Sequence, residues 1–232
     1  MHMKYLALIA ALAGTPALAS DPDATDWFDQ AEAEEARLRD INTGVLEFHS
    51  KAPDRRIHRL YNRLDIGADS LTSGYVDLYQ CHDSLDPIQR SEVRYRYKHM
   101  KGLRLETWQG MERAWVEGDS VQMVNVEEGA RLCIRAEVRV LEARGEGGYQ
   151  LRSGPFHRRF LDGYFPMQVS LDIRYPETLL QLTHMDPQPQ PGLKISQERD
   201  GLRVEALFSG MLTMEFGFHA PPVRNNPDRN SD

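Results

Sequence analysis

Leu132-Cys133-Ile134-Arg135-Ala136-Glu137-Val138-Arg139-Val140 decides the fold class. Leu132, Ile134, Ala136, Val138 and Val140 alternate with Cys133, Arg135, Glu137 and Arg139. A period of two means that successive side chains leave opposite faces of an extended chain. One face is apolar and the other charged, which is the mark of a half-buried strand.

The same alternation recurs on both sides of this stretch. Leu60, Asn62, Leu64 and Ile66 follow it, as do Val76 and Leu78 against Tyr75, Asp77 and Tyr79. Val93, Tyr95 and Tyr97 alternate with Arg94, Arg96 and Lys98, and Leu103 and Leu105 resume after a turn at His99-Met100-Lys101-Gly102. Val169, Leu171 and Ile173 form a further run. Leu202, Val204, Ala206 and Phe208 then lead to Leu212, Met214, Phe216 and Phe218. Asp200-Gly201 between two such runs is a two-residue hairpin signal, and Gly118-Asp119, Glu128-Gly129, Gly147-Gly148 and Ser209-Gly210 read as further turns. No helical pattern separates these runs. The expectation is therefore a mainly β protein, an antiparallel β-sandwich or a partly closed barrel, with one N-terminal helix.

That helix falls in the acidic segment 20–40, where Trp27, Phe28, Ala31, Glu35 and Leu38 keep helical spacing and Asp23 can cap the start. Ahead of it, Lys4, the apolar run Tyr5 to Ala13 and Pro16-Ala17-Leu18-Ala19 read as a signal peptide over residues 1–19. The run is too short to cross a bilayer. A β-rich domain is expected over 41–220 and a disordered tail over 221–232. Asp186-Pro187-Gln188-Pro189-Gln190-Pro191-Gly192 reads as a loop inside that domain.

The 232 residues carry a formal charge of −7, which disfavours nucleic acid as a partner. No segment after the leader is apolar enough to span a membrane. The candidate strands carry arginine and glutamate where an outer-membrane barrel would meet lipid. Cys81 and Cys133 are the only cysteines, and in an exported chain they are expected to form one disulfide. The expected compartment is a bacterial-type periplasm, with secretion beyond it as the alternative.

The segment from Ser153 to Pro166 keeps neither period. It gathers Phe156, Phe160, Tyr164 and Phe165 around His157, Arg158, Arg159 and Asp162. Aromatic rings interleaved with guanidinium groups can grip a planar, sugar-like or anionic ligand by stacking and paired hydrogen bonds. The competing reading is an aromatic plug at one end of the sandwich, with Arg158 or Arg159 paired to Asp162. A second candidate surface is the stripe Arg94, Arg96, Lys98 and Arg104, extended by Arg135 and Arg139; its ordinary explanation is cross-strand charge pairing.

Other motifs carry less. His99-Met100 and His184-Met185 could supply soft donors to copper, but strand neighbours point to opposite faces. Cys81-His82-Asp83 fails as a triad for the same reason. Gly118-Asp119-Ser120 resembles the opening of the GDSL-type esterase motif over three residues only, without its later Asp-x-x-His pair, and reads as a turn. The leading expectation is a non-enzymatic accessory or binding protein for an envelope component (lipid, glycan or peptidoglycan) or a partner protein. It would use Phe156–Phe165 together with Arg94 and Arg96, and no cofactor or metal. The alternatives are an envelope hydrolase built on His157, Arg159 and Asp162, and a periplasmic copper binder.

Overall fold

A computed structural model of the protein describes residues 43–160 and 163–221. The expected signal segment, the 20–40 helix and the tail beyond residue 221 lie outside the described residues, as does Asp162. The strands are β1 (Glu47–Phe48), β2 (His58–Asp65), β3 (Tyr75–Leu85), β4 (Ile88–Arg94), β5 (Met100–Glu117), β6 (Ser120–Arg139), β7 (Leu141–Ala143) and β8 (Gly148–Phe156). They continue with β9 (Arg158–Phe160), β10 (Gly163–Phe165), β11 (Met167–Arg174), β12 (Gln181–Asp186), β13 (Leu193–Glu198), β14 (Gly201–Ser209) and β15 (Leu212–His219). One single-turn helix, α1 (Ser70–Ser73), links β2 to β3.

The alternating runs became strands because each has one face to bury. In β6 the inner Leu132, Ile134, Ala136 and Val138 are at most 3% exposed. A nine-stranded sheet runs β1-β14-β11-β2-β3-β6-β4, with β13 beside β14 and β5 beside β6. A four-stranded sheet runs β12-β15-β8-β7, and β9 and β10 form a separate hairpin. Residues of both large sheets, such as Phe208 of β14 and Phe216 of β15, belong to one buried cluster. The molecule is therefore a β-sandwich; its sheets stay open and do not close into a barrel. The proline-rich stretch after β12 carries the chain from the four-stranded sheet back to the nine-stranded one.

Four features differ from the sequence reading. β2 and β11 pair in parallel, Leu60 beside Val169 and Leu64 beside Ile173. Alternation shows which face is buried but not which distant strand lies alongside, or in which direction. Glu128-Gly129 is not a turn but part of β6, and Met100, Lys101 and Gly102 open β5 instead of closing a loop. Gly129 (φ 79°) and Gly110 (φ 70°) adopt the left-handed backbone inside paired strands, where the β5–β6 register slips between Gln109 and Met111. The glycines therefore make bulges that bend the ribbon. Within Ser153–Pro166, residues 153–156, 158–160 and 163–165 also prove to be strand, the end of β8 followed by β9 and β10.

The bend has a geometric proof. Arg94 of β4 lies opposite Ser120 at one end of β6, and Met100 of β5 lies opposite Val138 near the other end. An extended strand between those points of β6 would measure about 60 Å, whereas the six peptide steps from Arg94 to Met100 reach at most about 21 Å. The ribbon must fold back on itself. Two backbone bonds tie it: Tyr95 N–H donates to the Asp119 carbonyl at 3.0 Å, and Arg139 N–H donates to the His99 carbonyl at 3.0 Å. Tyr95 is 4% exposed and closes over the apolar side of the fold.

Cys81 and Cys133 are directly opposed on β3 and β6, with Cα atoms 4.1 Å apart, and are disulfide-bonded. They occupy the charged face of the sheet yet have no exposed surface. Arg131 lies over them, its Nε 3.4 Å from Cys133 Sγ and its Nη2 3.7 Å from Cys81 Sγ, and is anchored to Asp83 at 3.3 Å. With a sequence separation of 52 the bond restricts a long loop of the unfolded chain. Replacing both cysteines by serine should lower the unfolding free energy by about 4 kcal/mol, read from urea titration; an unchanged unfolding midpoint contradicts this.

Candidate functional site

The β9–β10 hairpin sorts the candidate side chains by face. Arg159 lies opposite Tyr164 and Arg158 opposite Phe165. Directly opposed residues share a face and neighbours do not, so the two arginines point apart. Arg159 Cζ lies 5.7 Å from the Tyr164 ring centroid and Arg158 Cζ lies 5.6 Å from that of Phe165.

On the first face His157 sits 5.8 Å from Tyr164, ring to ring. Its ring is held neutral at pH 7. Partial burial lowers its pKa first, and the nearby charges of Arg96 and Arg159 lower it further, against a hydrogen bond from the ring to the Pro155 carbonyl. Arg96 comes from the β4–β5 link and Arg159 from the hairpin, so the charges of two candidates far apart in sequence both reach His157. The rest of the stripe does not join them. Arg94 pairs with Glu92 at 3.2 Å. Arg135 bonds Glu106 at 3.0 Å and lies over Tyr79, and Lys101 bonds Glu137 at 2.8 Å. Carboxylates thus interrupt the expected basic run. Phe156, 6% exposed, is a core side chain opposite Leu212.

On the second face Arg158 pairs with Asp86 at 2.5 Å, where the sequence had offered Asp162. The charges of this pair reach a buried polar chain that the sequence reading missed. Gln80 Nε2 donates to Asn62 Oδ1 at 2.6 Å, which turns its Oε1 toward His82. His82 Nε2–H donates to that oxygen at 3.0 Å. Its bare Nδ1 then accepts from His58 Nε2–H at 3.1 Å. The two imidazoles stack, with centroids 5.2 Å apart and planes 17° from parallel. Asn62, Gln80 and His82 are at most 7% exposed. A signal was present: residues 58 and 62, and 80 and 82, occupy apolar positions of their alternating runs.

Burial holds both rings neutral. His58 is lowered to about 4, by desolvation first and the Arg158 charge second, with Asp86 opposing. His82 is pushed well below its usual value by desolvation and then by His58.

Neither His-Met pair converges. On β12 His184 is exposed while Met185 is buried, and His99 lies in the link before Met100 begins β5. Among the described residues no three His, Cys, Asp or Glu side chains come together as a metal site. Gly118-Asp119 is the β5–β6 turn, and the Ser120 hydroxyl donates to the Glu117 carbonyl at 2.9 Å. His82 faces the core while Asp83 faces outward to Arg131, so Cys81-His82-Asp83 has no common face. Among the described residues, no helix is long and apolar enough to cross a membrane. Comparison with known proteins finds no family model and no curated protein that matches the chain.

The histidine chain makes stability depend on pH. An unfolded histidine titrates near 6.5 and folded His58 near 4, so between these values the unfolded chain binds the extra proton. Stability present above pH 6.5 is lost as pH falls toward 4, on the order of 3 kcal/mol for His58. Urea unfolding across this window should show that fall, and His58→Gln should flatten it. Equal slopes in both proteins contradict the assignment.

Proposed function

We propose that this is an exported, non-enzymatic binding or accessory protein of a bacterial-type periplasm. It contacts an envelope component (lipid, glycan or peptidoglycan), or a partner protein carrying the same chemistry, through Arg96, His157, Arg159 and Tyr164. The observation that carries the reading is the packing of His157 and Arg159 against Tyr164 on one face of the hairpin, within reach of the Arg96 charge. Two guanidinium groups around a neutral imidazole and a phenol ring suit an anionic group on a planar or ring-shaped ligand. The leader over residues 1–19 and the Cys81–Cys133 disulfide support export into an oxidising compartment.

The hydrolase reading has weaker support. A catalytic histidine is oriented by a carboxylate that stabilises its protonated form. The charges reaching His157 among the described residues are Arg96 and Arg159, which oppose protonation.

The test is co-sedimentation of the purified protein with isolated peptidoglycan sacculi and with anionic lipid vesicles. The wild type should sediment with at least one of them. The double variant Arg96→Ala/Arg159→Ala should bind about tenfold or more weakly at unchanged melting temperature. Equal binding by the variant, or breakdown of the sacculi, contradicts the proposal.

A further inference from the structure

On the outer face of β4, β5 and β6 the strand registers build a trough. The central strand contributes Ser120, Gln122 and Val124. Val124 lies between Arg90 and Arg113, Gln122 between Glu92 and Trp115, and Ser120 between Arg94 and Glu117. Ser120 and Val124 are shorter than the side chains flanking them, and Gln122 is turned along the strand by its bond to Ser120. The walls stand two strand spacings apart, about 10 Å. The resulting groove has a volume of about 320 Å³ and is lined by Arg90, Glu92, Trp115, Glu117, Gln122 and Val124.

The polar groups are already held in place. Gln122 Nε2 donates to Ser120 Oγ at 2.9 Å and Arg94 donates to Glu92 at 3.2 Å. Arg113 Cζ lies 4.8 Å from the Trp115 ring centroid, which fixes the indole as one wall. Arg90, Arg94 and Arg113 are nearly balanced by Glu92 and Glu117, so the trough has no strong field for a polyanion.

We propose that this trough binds a neutral linear saccharide. A sugar ring presents an apolar C–H face suited to the indole and an edge of hydroxyls suited to paired donors and acceptors. Trp115 supplies the first, and Arg90, Glu92 and Gln122 supply the second from the facing wall and floor. The lining residues span successive register positions along β6, which suits a chain better than a single ring. The proposal rests on Trp115, Arg90, Glu92 and Gln122, none of which belongs to the Arg96–His157 cluster.

The experiment follows the Trp115 indole N–H signal in a nitrogen-15 NMR titration of the intact protein. The probes are maltotetraose, cellotetraose and chitotetraose, with polyglutamate as a polyanion lacking sugar rings; affinities come from calorimetry. At least one tetrasaccharide should move the Trp115 signal saturably, while the Trp108 signal and the polyglutamate titration stay flat. Trp115→Ala and Arg90→Ala should each weaken binding by about tenfold. Arg90 is exposed on an edge strand, so its variant reports even if loss of the indole disturbs folding. A silent Trp115 signal with all three sugars, a response to polyglutamate alone, or an affinity unchanged in Arg90→Ala overturns the proposal.

Discussion

The short link 95–99 forces the longest ribbon of the molecule to double back. β6 extends for 20 residues, and the chain that leaves one of its ends on β4 rejoins it near the other on β5. Extended chain cannot meet both conditions, so β5 and β6 bend at Gly110 and Gly129. The bend gives the nine-stranded sheet a curved interior, in which Val121 and Met123 of one limb and Leu132 and Ile134 of the other are all at most 1% exposed. It also positions the link. Tyr95 turns inward, while Arg96 is exposed with its charge close to His157. Both candidate surfaces follow from this one constraint, the cluster around His157 at the link and the trough on the outer side of the bent limb.

The β14-β11-β2-β3 part of the nine-stranded sheet is organised differently. Arg203 of β14 grips Asp172 of β11 through two bonds of 2.7 and 3.0 Å, and Tyr61 of β2 donates to the same carboxylate at 2.9 Å. Tyr79 of β3 then receives Arg63 from one side and Arg135 from the other. Only the Asp172 carboxylate in this row is deeply buried, at 7% side-chain exposure. Loss of Arg203 would therefore leave a buried carboxylate uncompensated, whereas loss of Asp172 would leave a half-exposed guanidinium that water can solvate. Exposed pairs such as Lys101 with Glu137 contribute little stability individually. Their effect is to alternate charge across the paired strands.

The local features were legible because they are properties of neighbouring residues. Alternation from Leu132 to Val140, the Asp200-Gly201 turn and a lone cysteine pair each carry their meaning within a few positions or by elimination. What escaped depends on partners distant in sequence. Glycine before an apolar run marks a turn or a bulge equally well, and only the continuous pairing of β6 shows that Gly129 is a bulge. Three-residue strands such as β9 and β10 are too short to display a period, so a hairpin passed for irregular chain. Sequence proximity offered Asp162 to Arg158 or Arg159, whereas the partner observed for Arg158 among the described residues is Asp86, from the β3–β4 turn. His58 and His82 looked unremarkable because no ligand spacing joins them; their polar character at core positions was the available sign.

The folded-back ribbon is tested most directly by through-space proton contacts in a nuclear Overhauser NMR spectrum of the oxidised protein. The expected result is a set of cross-peaks from the Tyr95 amide to the Asp119 backbone and from the Arg139 amide to His99. Absence of both sets, with intact cross-strand contacts along β5 and β6, would mean a straight ribbon and would contradict the bend on which both surfaces depend.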